Sequence, residues 1–260
     1  QVIRNKNVRD YVLQQCSKIL NGTTQNTKMY ILVGVGSNGK SQFMNLLNKA
    51  FEDFSTKIKI TMLTHNSTSN SNNADPELYK LKGKRLAFFS EPNMKDKLNS
   101  SLVKDLTGGE EVSARQLRQT SENFKIRAKM FVTCNYVPEI SESSEAAWRR
   151  FSIINFDSRF VDNPKTAREF KKDETLEERL IEDPEFKEGL LVRLLEYYYK
   201  PVIKEPEIVT SQTKFYIESS NKLITWLKNN LVVDPTQCLS RDVLVDVYNE
   251  NVDEEKIDTK

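Results

Sequence analysis

The chain has 260 residues, of which 38% are hydrophobic and 29% are charged, and its mean hydropathy is −0.59. This length suffices for one large domain or two modest ones, and the composition predicts a soluble globular protein. No apolar run approaches the ~20 residues of a membrane-spanning helix. The three cysteines are odd in number and far apart, which argues against a disulfide framework or a zinc site.

Three further features of the sequence limit the possible compartment, extent and chemistry of the protein. The polar first ten residues carry no secretory signal, so we expect an intracellular protein in a reducing compartment with no membrane partner. The chain does not begin with Met, and we expect it to be a piece of a longer protein. The one histidine, His65, lies in a polar stretch, which argues against His-based catalysis.

The net charge of +2 conceals an asymmetry along the chain. Residues 80–150 carry 14 Lys/Arg against 9 Asp/Glu, whereas residues 171–260 carry 13 against 20. A basic middle segment suits a polyanionic partner, although two ordinary solvated surfaces would give the same counts.

The first strong signal along the chain is a glycine-rich loop. Apolar spacing predicts a helix over Val2–Asn21, and a polar linker over Asn21–Thr27 leads to a short buried strand, Tyr30–Val33. A second helix is predicted over Gln42–Phe51. The loop between them has the pattern G-x-x-x-x-G-K-S and consists of Gly34, Val35, Gly36, Ser37, Asn38, Gly39, Lys40 and Ser41.

Strand, glycine loop and helix form the context of a phosphate-binding P-loop. The glycines allow backbone N–H groups to turn toward an anion, and the helix N-terminus adds its dipole. Lys40 can reach the β- and γ-phosphates of ATP, and the Ser41 hydroxyl can hold Mg²⁺. A chance match is the alternative, and the flanking strand and helix make it rarer.

A second strand ends in an acid. Alternation predicts a strand over Lys57–Leu63, followed by a polar surface loop over Thr64–Asp75 and a short helix over Pro76–Leu81. Arg85–Glu91 then reads as a buried strand that ends in a carboxylate. P-loop ATPases place an acid there to hold Mg²⁺ and to orient the attacking water. Many have two acids; here Ser90 precedes Glu91, so Glu91 could serve the metal, the water or both.

A helix and a basic hairpin follow. Leu98–Leu106 is predicted as a helix that Thr107-Gly108-Gly109 ends, and strands over Glu111–Arg118 and Phe124–Cys134 flank turn-forming residues. Basic residues lie along the two arms: Arg115, Arg118, Lys125, Arg127 and Lys129. Such a hairpin could contact nucleic acid or could simply be solvated.

Two more candidate site positions lie at the ends of buried strands, one after a strand and one before. Asn135 ends the strand Met130–Cys134, where it could contact the γ-phosphate or the attacking water, or could form a turn. A helical turn is predicted over Glu145–Trp148, and the pair Arg149-Arg150 then precedes a strand over Phe151–Phe156. One arginine could reach an ATP site, or both could form surface salt bridges.

The remainder is predicted to be helical and structural. Helices are expected over Phe170–Lys200, Thr213–Asn230 and Arg241–Asn249, the last capped by Ser240. The three consecutive tyrosines Tyr197–Tyr199 read as core packing rather than as a platform for stacking bases.

The order of these motifs resembles that of the superfamily 3 helicases, and most closely the primase–helicase branch of large DNA viruses, phages and plasmids. The most specific element is Lys-x-Leu-Thr-Gly-Gly-Glu, residues 104–110, which is similar to the family's own motif. The resemblance covers about Met29–Phe156 and, more loosely, the helices to Trp226. A single acid at the strand end and divergent residues in the hairpin depart from the family pattern.

The resemblance implies an α/β fold, a P-loop NTPase core of AAA+ type with a parallel sheet flanked by helices. It implies an N-terminal helical segment (1–26), an ATPase domain (27–160) and a C-terminal helical region (161–260) that is cut short. It also implies a ring of about six subunits around single-stranded or forked DNA, with ATP between neighbours.

The resemblance assigns roles to the candidate residues. Lys40, Ser41 and Glu91 would act within one subunit, and Asn135 would sense the γ-phosphate. The next subunit would supply Lys104 and one of Arg149 or Arg150; the spacing past Asn135 in the family favours Arg150. Arg118 matches the basic DNA contact near the hairpin tip, and Arg115 and Lys125 would support it.

The function implied is that of an ATP-dependent DNA helicase motor with ATP and Mg²⁺ as cofactors. Its setting would be a viral or mobile-element protein at replication sites in the host cell, and the missing N-terminal part could hold a primase. Two alternatives stay open: a P-loop loader or switch that does not unwind DNA, and a P-loop kinase of small molecules. The kinase leaves the motif at 104–110 unexplained.

Overall fold

The computed structural model describes residues 1–22, 28–64, 75–93, 96–140, 148–220, 222–232, 234 and 236–251. Three predictions fall mainly outside these residues: the polar linker at 23–27, the loop around His65, and the helical turn before Trp148. No helix in the described ranges is long and apolar enough to span a membrane.

The strands that the structure describes are, in chain order, β1 (Met29–Val33), β2 (Ser55–Ile58), β3 (Leu86–Phe89), β4 (Lys97–Leu98), β5 (Glu111–Ala114), β6 (Glu122–Lys125), β7 (Lys129–Cys134), β8 (Glu139–Ile140), β9 (Phe151–Asn155), β10 (Arg159–Val161) and β11 (Glu169–Lys171). The α-helices are α1 (Lys6–Ser17), α2 (Lys40–Phe51), α3 (Pro76–Tyr79), α4 (Ser100–Gly108), α5 (Leu176–Glu182), α6 (Pro184–Tyr198), α7 (Glu207–Ser220), α8 (Lys222–Asn230) and α9 (Arg241–Asn251).

A five-stranded sheet organises the fold. Its strand order is β2-β3-β7-β1-β9, and all neighbouring strands are parallel. Along β1, Met29, Ile31 and Val33 pack into one core, and Tyr30 and Leu32 pack into the other. Because a parallel sheet is covered on both faces, its strands read as continuous apolar runs.

Helices cover both faces of this sheet. α1 and α2 pack against α6 on one side, and α4 contributes Val103 and Leu106 to the core on the other. α7 packs against β9 and contributes Val209 to the core beside α1 and α2 and Ile217 to the core beside α4. The predicted class, an α/β fold with a parallel sheet flanked by helices, is confirmed.

Two strand predictions were wrong in their boundaries. β2 ends at Ile58, and Ile60–Leu63 forms a 3₁₀ turn whose buried residues continue the apolar pattern of the strand. The stretch Phe124–Cys134 is two strands: β6 pairs with β5 in a hairpin, and β7 is central in the main sheet. Lys129, predicted on a hairpin arm, is therefore only 1% exposed at the start of β7.

The C-terminal half is more divided than predicted. Phe170 lies in β11, and the first predicted helix is interrupted where the Asp183 side chain accepts from Glu185 N at 2.8 Å and Pro184 starts α6. The second is two helices, α7 and α8. The Ser240 cap is confirmed, because its Oγ accepts from Val243 N at 3.3 Å.

The tyrosine prediction was right only in part. Tyr197 is 2% exposed and packs in the core, whereas Tyr199 is 81% exposed. Consecutive residues of a helix point in different directions, so three adjacent aromatic side chains cannot share one buried face.

Candidate functional site

A cleft of about 730 Å³ lies at the carboxyl edge of the central sheet. The P-loop leaves β1 there, Glu91 follows β3, and Asn135 follows β7. Because parallel strands end at the same edge, residues far apart in sequence meet at this point. Residues of the cleft wall include Gly36, Ser37, Asn38, Gly39, Lys40, Ser41, Glu91 and Asn135.

The P-loop requires glycine for two reasons. A Cβ on Gly34 would lie 2.1 Å from Asn38 Nδ2 and 2.6 Å from Phe156 O, so the position has no room for a side chain. Gly36 and Gly39 have φ of +52° and +83°, which favour glycine because it lacks a Cβ. The loop thereby brings its backbone close to whatever enters the cleft.

Lys40 is buried at the base of the cleft with only neutral partners. Its Nζ donates to Gly34 O and, at 3.1 Å, to Asn38 Oδ1. Burial lowers the pKa of Lys40, while Cys134 and Glu91 oppose this shift. An ammonium group held by neutral oxygens would gain from a negatively charged phosphate.

Asn38 provides a direct test of whether this cradle fits an anion. Its Nδ2 is buried without a hydrogen-bond partner among the described residues, although the residue is only 4% exposed. A buried donor without an acceptor is costly, and a phosphate oxygen would satisfy it. The cradle of Gly34, the orphaned amide of Asn38 and the ammonium of Lys40 therefore fit a phosphate group.

Glu91 and Asn135 are directly joined. Asn135 N donates to Glu91 Oε1 at 3.0 Å, which holds the acid at the mouth of the cleft. The described residues contain no cluster of three or more His, Cys, Asp or Glu that could hold a metal. Two oxygen donors, Ser41 and Glu91, nevertheless fit Mg²⁺, which usually takes few protein ligands and completes its shell with water and phosphate oxygens.

The arginine pair, Arg149 and Arg150, lies at the amino edge of the sheet, where the parallel strands begin. Arg150 O accepts from Met29 N at 2.8 Å, at the start of β1, and the P-loop begins at the far end of that strand. Five residues of strand separate them by roughly 15 Å. Arg149 is exposed, whereas the half-buried Arg150 donates from Nη1 to Thr107 O at 3.1 Å. Neither arginine lines the P-loop cleft of its own chain.

Lys104 is also outside this cleft. It lies half-buried on α4, the helix that leads into the β5–β6 hairpin. Gly109 ends α4 with a φ of +82°, as the Gly-Gly pair predicts. The motif at 104–110 thus forms the end of a helix and its link to the hairpin.

The hairpin is antiparallel and pairs Glu111 with Lys125. Arg118 is exposed in the connection between the strands and has φ of +64°, and its neighbour Leu117 is 74% exposed. Arg115 follows β5 directly. Arg118, Arg115 and Lys125 therefore share this one projection, whereas Arg127 and Lys129 do not belong to it.

The sequence patterns did not predict the residues of one wall of the cleft. Phe160, Lys171 and Lys172 line it from β10, β11 and the residue after β11. Lys171 and Lys172 were not predicted because Phe170–Lys200 was interpreted as a single helix, and Phe160 was not predicted because no element was assigned to residues 157–169. The short Arg-Phe-Val and Glu-Phe-Lys segments around Asn163-Pro164 were the available signal for two strands.

Known proteins similar to this chain come from large DNA viruses. The chain is 34% identical over 247 residues to "Putative helicase L207/L206" of Acanthamoeba polyphaga mimivirus, covering 90% of this chain and 25% of the relative. It is 27% identical over 221 residues to "Putative primase C962R" of African swine fever virus (isolate Warthog/Namibia/Wart80/1980), covering 80% and 23%. This chain thus spans about a quarter of the length of these relatives.

A family model and a solved structure also match this chain. The model of a family of unknown function, DUF5906, matches residues 32–150. The apo structure of the NrS-1 C-terminal region is similar with a TM-score of 0.53 at 16% identity, covering 88% of this chain and 58% of that one. The chain therefore shares its fold with that region. The resemblance to viral helicase and primase–helicase proteins, inferred from the motifs, is confirmed.

Proposed function

We propose that this chain is the ATP-driven DNA helicase motor of a replicative viral primase–helicase. The observation that carries the proposal is the meeting of Lys40, Glu91 and Asn135 around a cradle with an unsatisfied amide donor. The relatives named as helicases and primases support it.

Within one subunit, the P-loop would bind the triphosphate. Lys40 would exchange its contacts with Gly34 O and Asn38 for the β- and γ-phosphates, and Asn38 Nδ2 would gain an acceptor. Ser41 and Glu91 would hold Mg²⁺, which neutralises the charge that develops on the phosphates. Glu91 and Asn135 would also orient the attacking water. Hydrolysis would depend on positioning and charge stabilisation rather than on covalent catalysis.

A second copy of the chain would complete the site. Arg149 and Arg150 lie about one strand length from the P-loop of their own chain, so they could act only on the nucleotide of a neighbour. Lys104 would come from the same neighbour. Closed rings allow each subunit to offer one face to each neighbour, and we propose about six subunits.

The hairpin would grip single-stranded DNA in the centre of such a ring. Arg118, Arg115 and Lys125 would contact phosphates, so DNA binding should weaken steeply with salt. ATP hydrolysis would move the hairpin and pull the strand.

A forked-DNA unwinding assay run beside analytical sedimentation tests the proposal. We expect ATP- and Mg²⁺-dependent strand separation by an assembled ring, and neither activity with Lys40→Ala protein. ATPase without strand separation would instead indicate a loader or switch. Phosphate transfer to a small molecule without DNA dependence would indicate a kinase. Either result would overturn the helicase proposal.

A further inference from the structure

Strands β10 and β11 form a strap that is fixed to the P-loop. Phe160 N donates to Ser37 O at 2.7 Å, and the rings of Phe160 and Phe170 pack with centroids 5.8 Å apart. A Cβ on Gly39 would lie 3.3 Å from Phe160 Cε2, so the ring lies directly against the loop. The position of the strap relative to the cleft is therefore set by backbone and core contacts.

This strap brings a second lysine into the cleft. Lys171 pairs in register with Val161, and Lys172 N donates to Val161 O at 2.9 Å. Lys171 lines the same cleft as Lys40 and is exposed to solvent within it. Its backbone is held by the strap while its long side chain is free to reach a ligand.

The nearby acids already have other partners. Asp173 binds Arg179 and accepts from Thr175 N at 3.1 Å. Glu174 lies 3.9 Å from Lys172 Nζ, and Glu177 accepts from Gln42 Nε2 at 3.4 Å.

Lys171, in contrast, forms no ion pair with the part of the chain that the structure describes. It is thus a cation of the cleft wall that no described carboxylate pairs with. A multiply charged polyphosphate in the cleft would supply the missing counter-charge.

We infer that Lys171 is a second phosphate-binding lysine that acts in the same subunit as Lys40. The inference rests on the proposed function, because it requires a nucleotide in the P-loop cleft. It adds a contact from beyond the central sheet: the strap closes one side of the phosphate site and supplies a positive charge in addition to that of Lys40.

Equilibrium binding of fluorescent ATP and ADP analogues tests this role without requiring hydrolysis. The variants are Lys171→Ala, Lys171→Arg, Lys40→Ala and the matched control Lys165→Ala, which removes an exposed lysine between the same two strands but outside the cleft. Lys171→Ala should weaken ATP binding about tenfold, since a charge-assisted contact contributes roughly that factor. The loss should shrink as salt concentration rises.

The variants separate this inference from the proposed function. We expect Lys171→Arg to retain most of the wild-type affinity and Lys165→Ala to match wild type. If Lys40→Ala loses binding while Lys171→Ala binds like wild type, Lys171 has no phosphate role and only this inference fails. If wild-type protein binds no nucleotide, the proposed function itself fails and this inference with it.

Discussion

The two edges of the central sheet differ in the polar residues that they carry and in how those residues are paired. At the carboxyl edge, the P-loop, Glu91 and Asn135 surround an open cleft, and a buried amide lacks a partner. At the amino edge lie Arg149 and Arg150, and Arg150 donates to a backbone carbonyl of its own chain. A cleft that fits a phosphate group at one edge and arginines at the other are complementary in charge. The difference suggests that two copies, not one, would make a complete site.

The largest expected effect comes from removing the cation of the carboxyl edge. Lys40→Ala should reduce ATP hydrolysis by about a thousandfold or more, because charge stabilisation in a P-loop depends on this ammonium. Phosphate release measures the effect, and Lys49→Ala, in the last turn of α2, is the matched control. Wild-type turnover in Lys40→Ala protein would refute the site.

The amino edge is tested by Arg150→Ala. We expect hydrolysis to fall by about a hundredfold to a thousandfold while ATP binding is kept, because an arginine from a neighbour acts mainly in the transition state. Phosphate release and nucleotide binding should be measured in parallel, with Arg149→Ala for comparison.

Mixed assemblies decide whether Arg150 acts on a neighbour. Arg150→Ala protein combined with Lys40→Ala protein should regain some hydrolysis, since some interfaces then pair an intact P-loop with an intact arginine. No recovery would contradict a contribution from the neighbour. Urea unfolding of Arg150→Ala checks that losing the bond to Thr107 O leaves the fold intact.

Lys129, at the start of β7, tests whether this part of the amino edge affects the stability of the protein rather than its activity. Burial lowers the pKa of Lys129 from 10.5 to about 8, with Lys18 adding to the shift. Its Nζ has no hydrogen-bond partner among the described residues. Below pH 8 both folded and unfolded chains are protonated, so the folded state bears the full cost of the buried charge, about 3 kcal/mol. Wild-type stability should therefore rise as pH increases from about 8 toward 10.5.

Lys129→Met should remove this cost and its pH dependence. We expect it to stabilise the protein at neutral pH by about 1–3 kcal/mol, because methionine fills a similar volume without a charge. Urea unfolding at several pH values measures both effects. A destabilised Lys129→Met protein would show that the ammonium has a favourable role that the described residues do not reveal.

The smallest expected effect concerns the hairpin. Arg118→Ala should lower DNA-stimulated ATPase several-fold and reduce the salt dependence of DNA binding by about one charge, because it removes one phosphate contact. Basal ATPase in the absence of DNA serves as the internal control. An equal loss of both activities would argue against a DNA contact.

Local patterns made the carboxyl edge predictable. A strand followed by a glycine loop and a helix identifies Gly34–Ser41, and a buried strand followed by a polar residue identifies Glu91 and Asn135. Because the strands are parallel, their carboxyl ends lie at the same edge of the sheet. The order of motifs therefore predicts that these residues share one cleft.

Other features depended on partners distant in sequence. β10 and β11 are three residues each, too short to reveal a period, and only their attachment to the P-loop makes Lys171 a wall of the cleft. β6 and β7 form one apolar-rich stretch in sequence, and only strand pairing divides it and buries Lys129.

By itself, then, the sequence determined the α/β class and the three elements of the carboxyl edge, namely the P-loop, Glu91 and Asn135. A few adjacent residues are enough to identify each of them. Only the tertiary structure decided that Arg149 and Arg150 face away from that cleft, that a strap brings Lys171 into it, and that Lys129 is buried. Those outcomes follow from strand order and packing, which join residues that no local pattern connects.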